Sequence, residues 1–291
     1  MSSVVTSRAG IPHARRIVVK VGSSSVSGEN VGQIGALVDA LAAAHGRGSE
    51  VILVSSGAIA TGIPYLNLDA RPTDLATQQA AAAVGQNVLI FRYQESLDRY
   101  RIVAGQILLT AGDMENPTHR SNAQRAMERL LGLRILPIVN ENDTVATQEI
   151  RFGDNDRLAA LVSVLVRADV LVLLSDIDAL YTRPPAEPGA LKIETVPFDD
   201  DLGGVTFGDI GAAGVGTGGA GTKVAAAKLA AASGIPTLLA ATGSVAEALA
   251  GAEVNIQMKG SIKVKARTIS NRYLSISPTQ PSGPSFRQWM A

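Results

Sequence analysis

The chain of 291 residues contains no cysteine. That absence removes disulfides, thiolate metal sites and a cysteine nucleophile, and it fits a reducing, cytoplasmic setting. Aromatic residues make up only 4%, against 46% hydrophobic residues overall, so the core has to be built from Ala, Val, Leu and Ile. No apolar run approaches the roughly 20 residues of a membrane span. The opening MSSVVTSRAGIPHARR lacks the apolar stretch of a secretory signal, and residues 1–15 read as a flexible lead-in. Three scattered histidines (His13, His45 and His119) form neither a Ser/His/Asp arrangement nor a His-rich metal site. Formal net charge is zero, which gives no general attraction to nucleic acid or anionic membranes. Acidic residues are missing from 254–291, which carries Lys259, Lys263, Lys265, Arg267, Arg272 and Arg287. That segment reads as a basic C-terminal appendage.

Short apolar runs recur along the rest of the chain. Ile17–Val21, Val51–Val54, Ile102–Leu109, Ile135–Val139, Val170–Leu174 and Pro236–Leu239 are continuous apolar stretches, as expected of strands buried on both faces of a parallel sheet. Helical patterns lie between them. Ala123, Ala126, Met127, Leu130 and Leu131 fall on one stripe. Leu158, Leu161, Val162 and Leu165 form another, with Asp154 as its N-cap. Lys223–Ala232 is an Ala-rich helix. Alternating strands and helices give an α/β fold with helices on both faces of a mainly parallel sheet. Ligands of such sheets sit beyond the carboxyl ends of the strands. Polar clusters come directly after the strands here, at Gly22–Ser25, Ser55–Gly57, Asn140–Asp143 and Ser175–Asp178. Residues 183–220, rich in Pro, Gly and Asp, read as one long loop or lid.

Five motifs carry chemistry, and each has a plainer structural reading. Lys20 lies inside an apolar strand, where an ammonium is costly unless an anion meets it, and Gly22 lets the backbone approach a ligand. An edge-strand lysine facing solvent is the plain alternative. The run Gly214-Val-Gly-Thr-Gly-Gly-Ala-Gly-Thr-Lys223 contains a formal G-x-G-x-x-G, but no apolar strand precedes it, and it is not a P-loop. It reads as a glycine loop feeding a helix N-terminus that attracts anions, or as a flexible surface loop. Asn140-Glu-Asn-Asp143 suits an amine or hydroxyl ligand, or a turn. In Gly153-Asp-Asn-Asp156, Asp156 either orients lysine ammoniums or simply complements a helix dipole. Ser175-Asp176-Ile-Asp178 is placed to hold a nucleotide or a metal, or to make a turn. No residue set stands out as a protein metal site.

Taken in order, VVKVGSSS (18–25), VSSGAIATG (54–62), GQILLTAGDM (105–114), IVNENDTVAT (138–147), EIRFGDNDRLAALV (149–162), LVLLSDIDALYT (171–182) and GTGGAGTKVAAA (216–227) resemble the amino acid kinase family over about residues 15–250. NENDTVAT and FGDNDRLAALV are similar to the members that act on glutamate. The aspartate and acetylglutamate kinases share the lysine and glycine motifs and differ at that pair. The resemblance implies a three-layer αβα sandwich with a mainly parallel central sheet over residues 16–253. It implies transfer of the ATP γ-phosphoryl group, with Mg²⁺, to the γ-carboxylate of L-glutamate, the first step of proline biosynthesis. Feedback inhibition by proline and a homodimer or homotetramer are further implications, with no membrane or nucleic-acid partner.

Residue by residue, Lys20 and Lys223 match the two lysines that neutralise the transferring phosphoryl group, and Asp156 matches the aspartate that orients them. Ser56, Asp143 and Asn155 match glutamate-binding positions, with Gly57 and Asn142 beside them. Lys20, Gly22, Ser175, Asp176 and the loop Thr217, Gly218, Gly219, Ala220, Gly221, Thr222 and Lys223 match ATP-binding positions. Ala220 stands where the family usually has Met. Many bacterial relatives add a C-terminal RNA-binding-like (PUA) domain, and none is expected here. The alternatives are another carboxylate kinase of the family, or a non-catalytic nucleotide-binding regulator. A regulator is expected to have lost Lys20, Lys223 or Asp156, and all three are present.

Overall fold

A computed structural model describes residues 5–68, 72–146, 155–197, 200, 202, 205, 219–252 and 257–259. Six parallel strands form the centre of the sheet: β1 (Arg16–Lys20), β2 (Glu50–Val54), β3 (Ala104–Leu109), β4 (Leu136–Glu141), β5 (Val170–Ser175) and β9 (Thr237–Ala241). The short strands β6 (Leu180–Tyr181) and β7 (Lys192–Ile193) pair as a separate hairpin. With β8 (Thr195–Pro197) and β10 (Gln257–Lys259) the main sheet runs β3-β4-β2-β1-β5-β9-β10-β8. β10 is antiparallel to β9 and parallel to β8.

Alternation of side chains along each strand divides the core in two. Ile17 and Val19 of β1, with Val51 and Leu53 of β2, pack under α1 (Gln33–Gly46), α3 (Leu75–Asp98) and α8 (Val245–Leu249). Val18, Ile52, Val54 and Leu173 point the other way, onto α5 (Pro117–Gly132), α6 (Asn155–Leu165) and α7 (Ala220–Ala232). Two five-residue helices, α2 (Ala58–Gly62) and α4 (Ala111–Glu115), lie in the connections after β2 and β3. The expected three layers are therefore present. The same alternation puts Lys20 on the face of Val18, toward α6 and α7. Because β1 lies between β2 and β5, the edge-strand reading of Lys20 fails.

Four expectations are corrected. Part of the lead-in is folded: Arg8–His13 is a 3₁₀ helix, and Val5, Ile11 and Ala14 are buried in the first core cluster. Its few apolar residues suffice to cover the end of α8, where a Cβ on Gly251 would come within 2.8 Å of the Arg8 carbonyl oxygen. The stretch 183–220 is not a single loop, since it supplies β7 and β8. Residues 257–259, beyond the boundary drawn at 253 from composition, add β10 and satisfy backbone groups that β9 would otherwise leave unpaired. β4 continues through Asn140 and Glu141, so those two residues are strand rather than turn. Asp154, expected as the N-cap of α6, lies outside the described residues.

One contact fixes the loop after β2. Helix α2 crosses α3 so closely that a Cβ on Gly85 would sit 1.8 Å from the Ala58 carbonyl oxygen, and one on Gly62 1.9 Å from that of Ala81. Glycine at both positions lets the helix backbones touch. Gly85→Ala is expected to destabilise the protein by about 3 kcal/mol in urea denaturation, as overpacking at a rigid contact does. Gly35→Ala on α1, where the new methyl meets nothing within 4 Å, is the control and should be neutral or mildly stabilising. Equal midpoints for the two variants would remove the close crossing.

Candidate active site

The carboxyl ends of β1, β2, β4, β5 and β9 converge, and their last residues, the turns after them and the first turns of α6 and α7 build the site. Lys20 is the last residue of β1. Asp156 is the second residue of α6, and Lys223 lies in the first turn of α7. All three are buried, Asp156 completely. Lys20 Nζ lies 2.5 Å from Asp156 Oδ1, and Lys223 Nζ lies 3.1 Å from Oδ2. The Thr222 hydroxyl is 3.3 Å from the same Oδ2 and 2.8 Å from the Gly219 carbonyl oxygen. One carboxylate thus holds two ammoniums side by side, and the triplet has a net charge of plus one. Two ammoniums brought side by side attract an anion.

The first turn of α7 adds to this. Gly219, its N-cap, is extended, and residues 220–222 come next with amide groups that a helix start leaves without intrahelical partners, whereas the Lys223 N–H donates to the Gly219 carbonyl at 3.4 Å. Helix dipole and ammoniums point the same sign of charge at one place. Gly22, two residues after Lys20, carries the chain from β1 into the Ser23–Ser25 turn. Ser25 Oγ is 2.8 Å from Thr242 Oγ1, which donates to the Ser175 carbonyl at 3.1 Å. These bonds tie the ends of β1, β5 and β9 together. Asp176 accepts from Ser175 Oγ at 3.0 Å and is otherwise exposed. Thr217 and Gly218 lie outside the described residues.

On the other side of Asp156 is an amide cluster. Asn155 Nδ2 donates to the Ser55 carbonyl at 2.8 Å, to Asn140 Oδ1 at 2.8 Å and to Ser56 Oγ at 3.0 Å. Asn140 Nδ2 donates to Gln86 Oε1 at 2.7 Å. Gly57 has φ of +97°, which lets α2 start directly after Ser56. Asn142 and Asp143 lie beside this cluster. They line an adjoining cavity of about 290 Å³ with Gln86, Asn87, Gln106 and Glu141. Among the described residues no group of three or more His, Asp or Glu is arranged to hold a metal ion.

Sequence reasoning does not mark Gln86, and it includes Asn140 only within the Asn140–Asp143 cluster, with no role of its own. Asn140 is hidden in the NEND run by its strand position. Gln86 has one available signal, a glycine (Gly85) inside a helical pattern, which marks a close approach.

Burial alone would raise the Asp156 carboxyl. The charges and hydrogen bonds of Lys20 and Lys223 overcome that and hold it below its ordinary value of 3.8. A carboxylate depressed in the folded state stabilises the fold above its unfolded pKa. That contribution is lost as pH falls through the lower folded value. Asp156→Asn should therefore flatten the acid limb of stability against pH below about 4. It also leaves two buried ammoniums facing each other, at a cost of about 3–5 kcal/mol at neutral pH. Urea denaturation between about pH 7 and pH 3 measures both effects. An unchanged acid limb would place the pH dependence in other carboxylates.

Residues 15–241 match the amino acid kinase family. The glutamate 5-kinase of Clavibacter sepedonicus is 76% identical over 248 residues, covering 85% of this chain and 95% of that protein. That of Leifsonia xyli subsp. xyli is 73% identical over 250 residues, 86% of this chain and 93% of the relative. The longer enzyme of Streptomyces coelicolor is 55% identical over 250 residues, 84% of this chain and 67% of its own. Among solved structures, carbamate kinase from Giardia lamblia bound to AMP-PNP is similar with a TM-score of 0.62 at 14% identity, over 86% of this chain and all of the other. An isopentenyl phosphate kinase has a TM-score of 0.57 at 16% identity, over 84% and 100%. These two likenesses are of fold. The relatives of high identity, together with three elements converging on one buried carboxylate, make the chain a member of the amino acid kinase family, in its glutamate 5-kinase branch.

Proposed function

We infer that this protein is an ATP-dependent glutamate 5-kinase, which makes L-glutamyl 5-phosphate in the first step of proline biosynthesis. The observation that carries the reading is the buried bridge of Lys20 and Lys223 on Asp156, with bonds of 2.5 and 3.1 Å. Phosphoryl transfer needs charge neutralisation and in-line positioning more than covalent assistance. The two ammoniums supply the first, at the oxygens of the γ-phosphoryl group and its bridge to ADP. A γ-carboxylate is ionised at pH 7, so one of its oxygens attacks phosphorus directly while the bond to the bridging oxygen breaks. No proton is removed, and no general base is required. That suits a reaction centre built on two lysines and their shared aspartate.

In this reading Lys20, Lys223 and Asp156 are the catalytic residues. Gly22, Ser175, Asp176 and the loop Thr217, Gly218, Gly219, Ala220, Gly221 and Thr222 cradle ATP. Ser56, Gly57, Asn142, Asp143 and Asn155 receive glutamate. Mg²⁺ enters with the nucleotide. Bound there, it would neutralise phosphate charge; Asp156, engaged by both lysines, is not assigned to hold it. Proline as feedback inhibitor, a homo-oligomeric state and a cytoplasmic location belong to the same proposal.

Trapping the acyl phosphate with hydroxylamine should give ATP-dependent hydroxamate from L-glutamate, and far less from L-aspartate or N-acetylglutamate. Preference for either of the latter would move the protein to another branch of the family. Lys20→Ala and Lys223→Ala should each lower kcat by about 10²–10³-fold, the range for a preorganised electrostatic group. A folded Lys20→Ala enzyme with near-normal turnover would remove the lysine from the mechanism.

A further inference from the structure

Gln86 sits half-buried on α3, one residue after the close crossing at Gly85, and lines the cavity that holds Asn142 and Asp143. The orientation of its amide comes from a chain of one-way hydrogen bonds. The Ser55 carbonyl can only accept, so Asn155 must turn its NH₂ toward it. The Glu141 backbone N–H can only donate, and it meets Asn140 Oδ1 at 2.9 Å. Asn140 Oδ1 also accepts from Asn155. Both demands on Asn140 agree, and its NH₂ is left facing Gln86. Gln86 must then present Oε1 to it, at 2.7 Å. The Gln86 NH₂ is thereby committed to the opposite side and kept as a donor beside the cavity.

We propose that Gln86 is a specificity-determining residue whose Nε2 hydrogen-bonds the α-carboxylate of the acceptor amino acid. The proposal rests on the glutamate 5-kinase reading and deepens it. Room and charge both fit. The cavity of about 290 Å³ lies next to the amide cluster that flanks Asp156, and its wall carries Glu141 and Asp143 as well as the amides of Gln86, Asn87, Asn142 and Gln106. Such a wall suits a zwitterion: the carboxylates favour an ammonium, and the amide donors a carboxylate. Backbone groups lock the Gln86 amide, so the donor is in place before the substrate arrives and little ordering cost is left to the binding step.

The test compares the unaltered enzyme with Gln86→Met and Gln86→Glu, using L-glutamate as substrate. Glutarate and 4-aminobutyrate serve as competitive inhibitors; the first keeps both carboxylates without the ammonium, and the second lacks the α-carboxylate. A hydrogen bond to a charged group is worth roughly 10–100-fold in binding. Gln86→Met should raise KM for glutamate and Ki for glutarate by about that factor. Ki for 4-aminobutyrate and KM for ATP should stay within about twofold. Gln86→Glu keeps the acceptor for Asn140 but sets an anion where the donor was, and it should bind glutamate more weakly than Gln86→Met. A rise shared equally by glutamate and 4-aminobutyrate would make Gln86 merely structural, and no rise would remove it from the site. Failure of the unaltered enzyme to phosphorylate glutamate would overturn the acceptor assignment and this proposal together, and is read before any variant.

Discussion

The Asp156 carboxylate, fully buried between two ammoniums, is the constraint on which the rest of the molecule depends. Three ionised groups taken out of water are expensive unless their geometry is close and their remaining donors are used. Here one oxygen serves Lys20 and the other serves Lys223, so neither lysine can move away without leaving a charge uncompensated. The partners come from β1, α6 and α7, which are far apart in the chain. Their meeting fixes α6 and α7 against the central strand. Two positive charges thus meet at one place beside the carboxyl ends of the strands.

A parallel sheet makes that meeting possible. Every strand of the central six delivers the residues after it to the same edge. The positions fall into two groups around Asp156. Gly22, Ser175 and the start of α7 lie toward β5 and β9, tied together through Ser25 and Thr242. Ser56, Asn140 and Asn155 lie toward β2 and β4, held by one-way amide bonds. This is a sensible layout for a two-substrate transfer, with the nucleotide on one side of the lysines and the acceptor on the other. The Gly62–Gly85 crossing supports the acceptor side, because it places Gln86 opposite Asn140.

Much of this was legible in the residues. A lysine in a β-branched strand either faces solvent from a sheet edge or meets an anion, and Lys20 meets Asp156. The Asp156 position in the first turn of α6 and the glycines before Lys223 were equally visible, because helix starts and glycine loops have local signatures. Other features had none. Asn140 resembled a turn residue because asparagine prefers turns, and only pairing with β3 draws it into β4. Gln86 is one polar residue in an alanine-rich helix, and its role depends on Asn140 facing it across the sheet. Arg8–His13 and Gln257–Lys259 looked peripheral because composition does not reveal that an exposed sheet edge or helix end needs covering.

The sequence by itself therefore determined the α/β class and the mainly parallel sheet, because hydrophobic periodicity acts over a few residues, and its ordered motifs implied phosphoryl transfer through their resemblance to the amino acid kinase family. Tertiary structure alone decided that Lys20 lies on an inner strand and that a chain of backbone-anchored amides orients Gln86. Gln86 and Asn140 are 54 positions apart, and Asp156 and Lys223 are 67. No local preference can specify contacts at such separations. Loop closure and burial do, once the sheet has brought the carboxyl ends of its strands together.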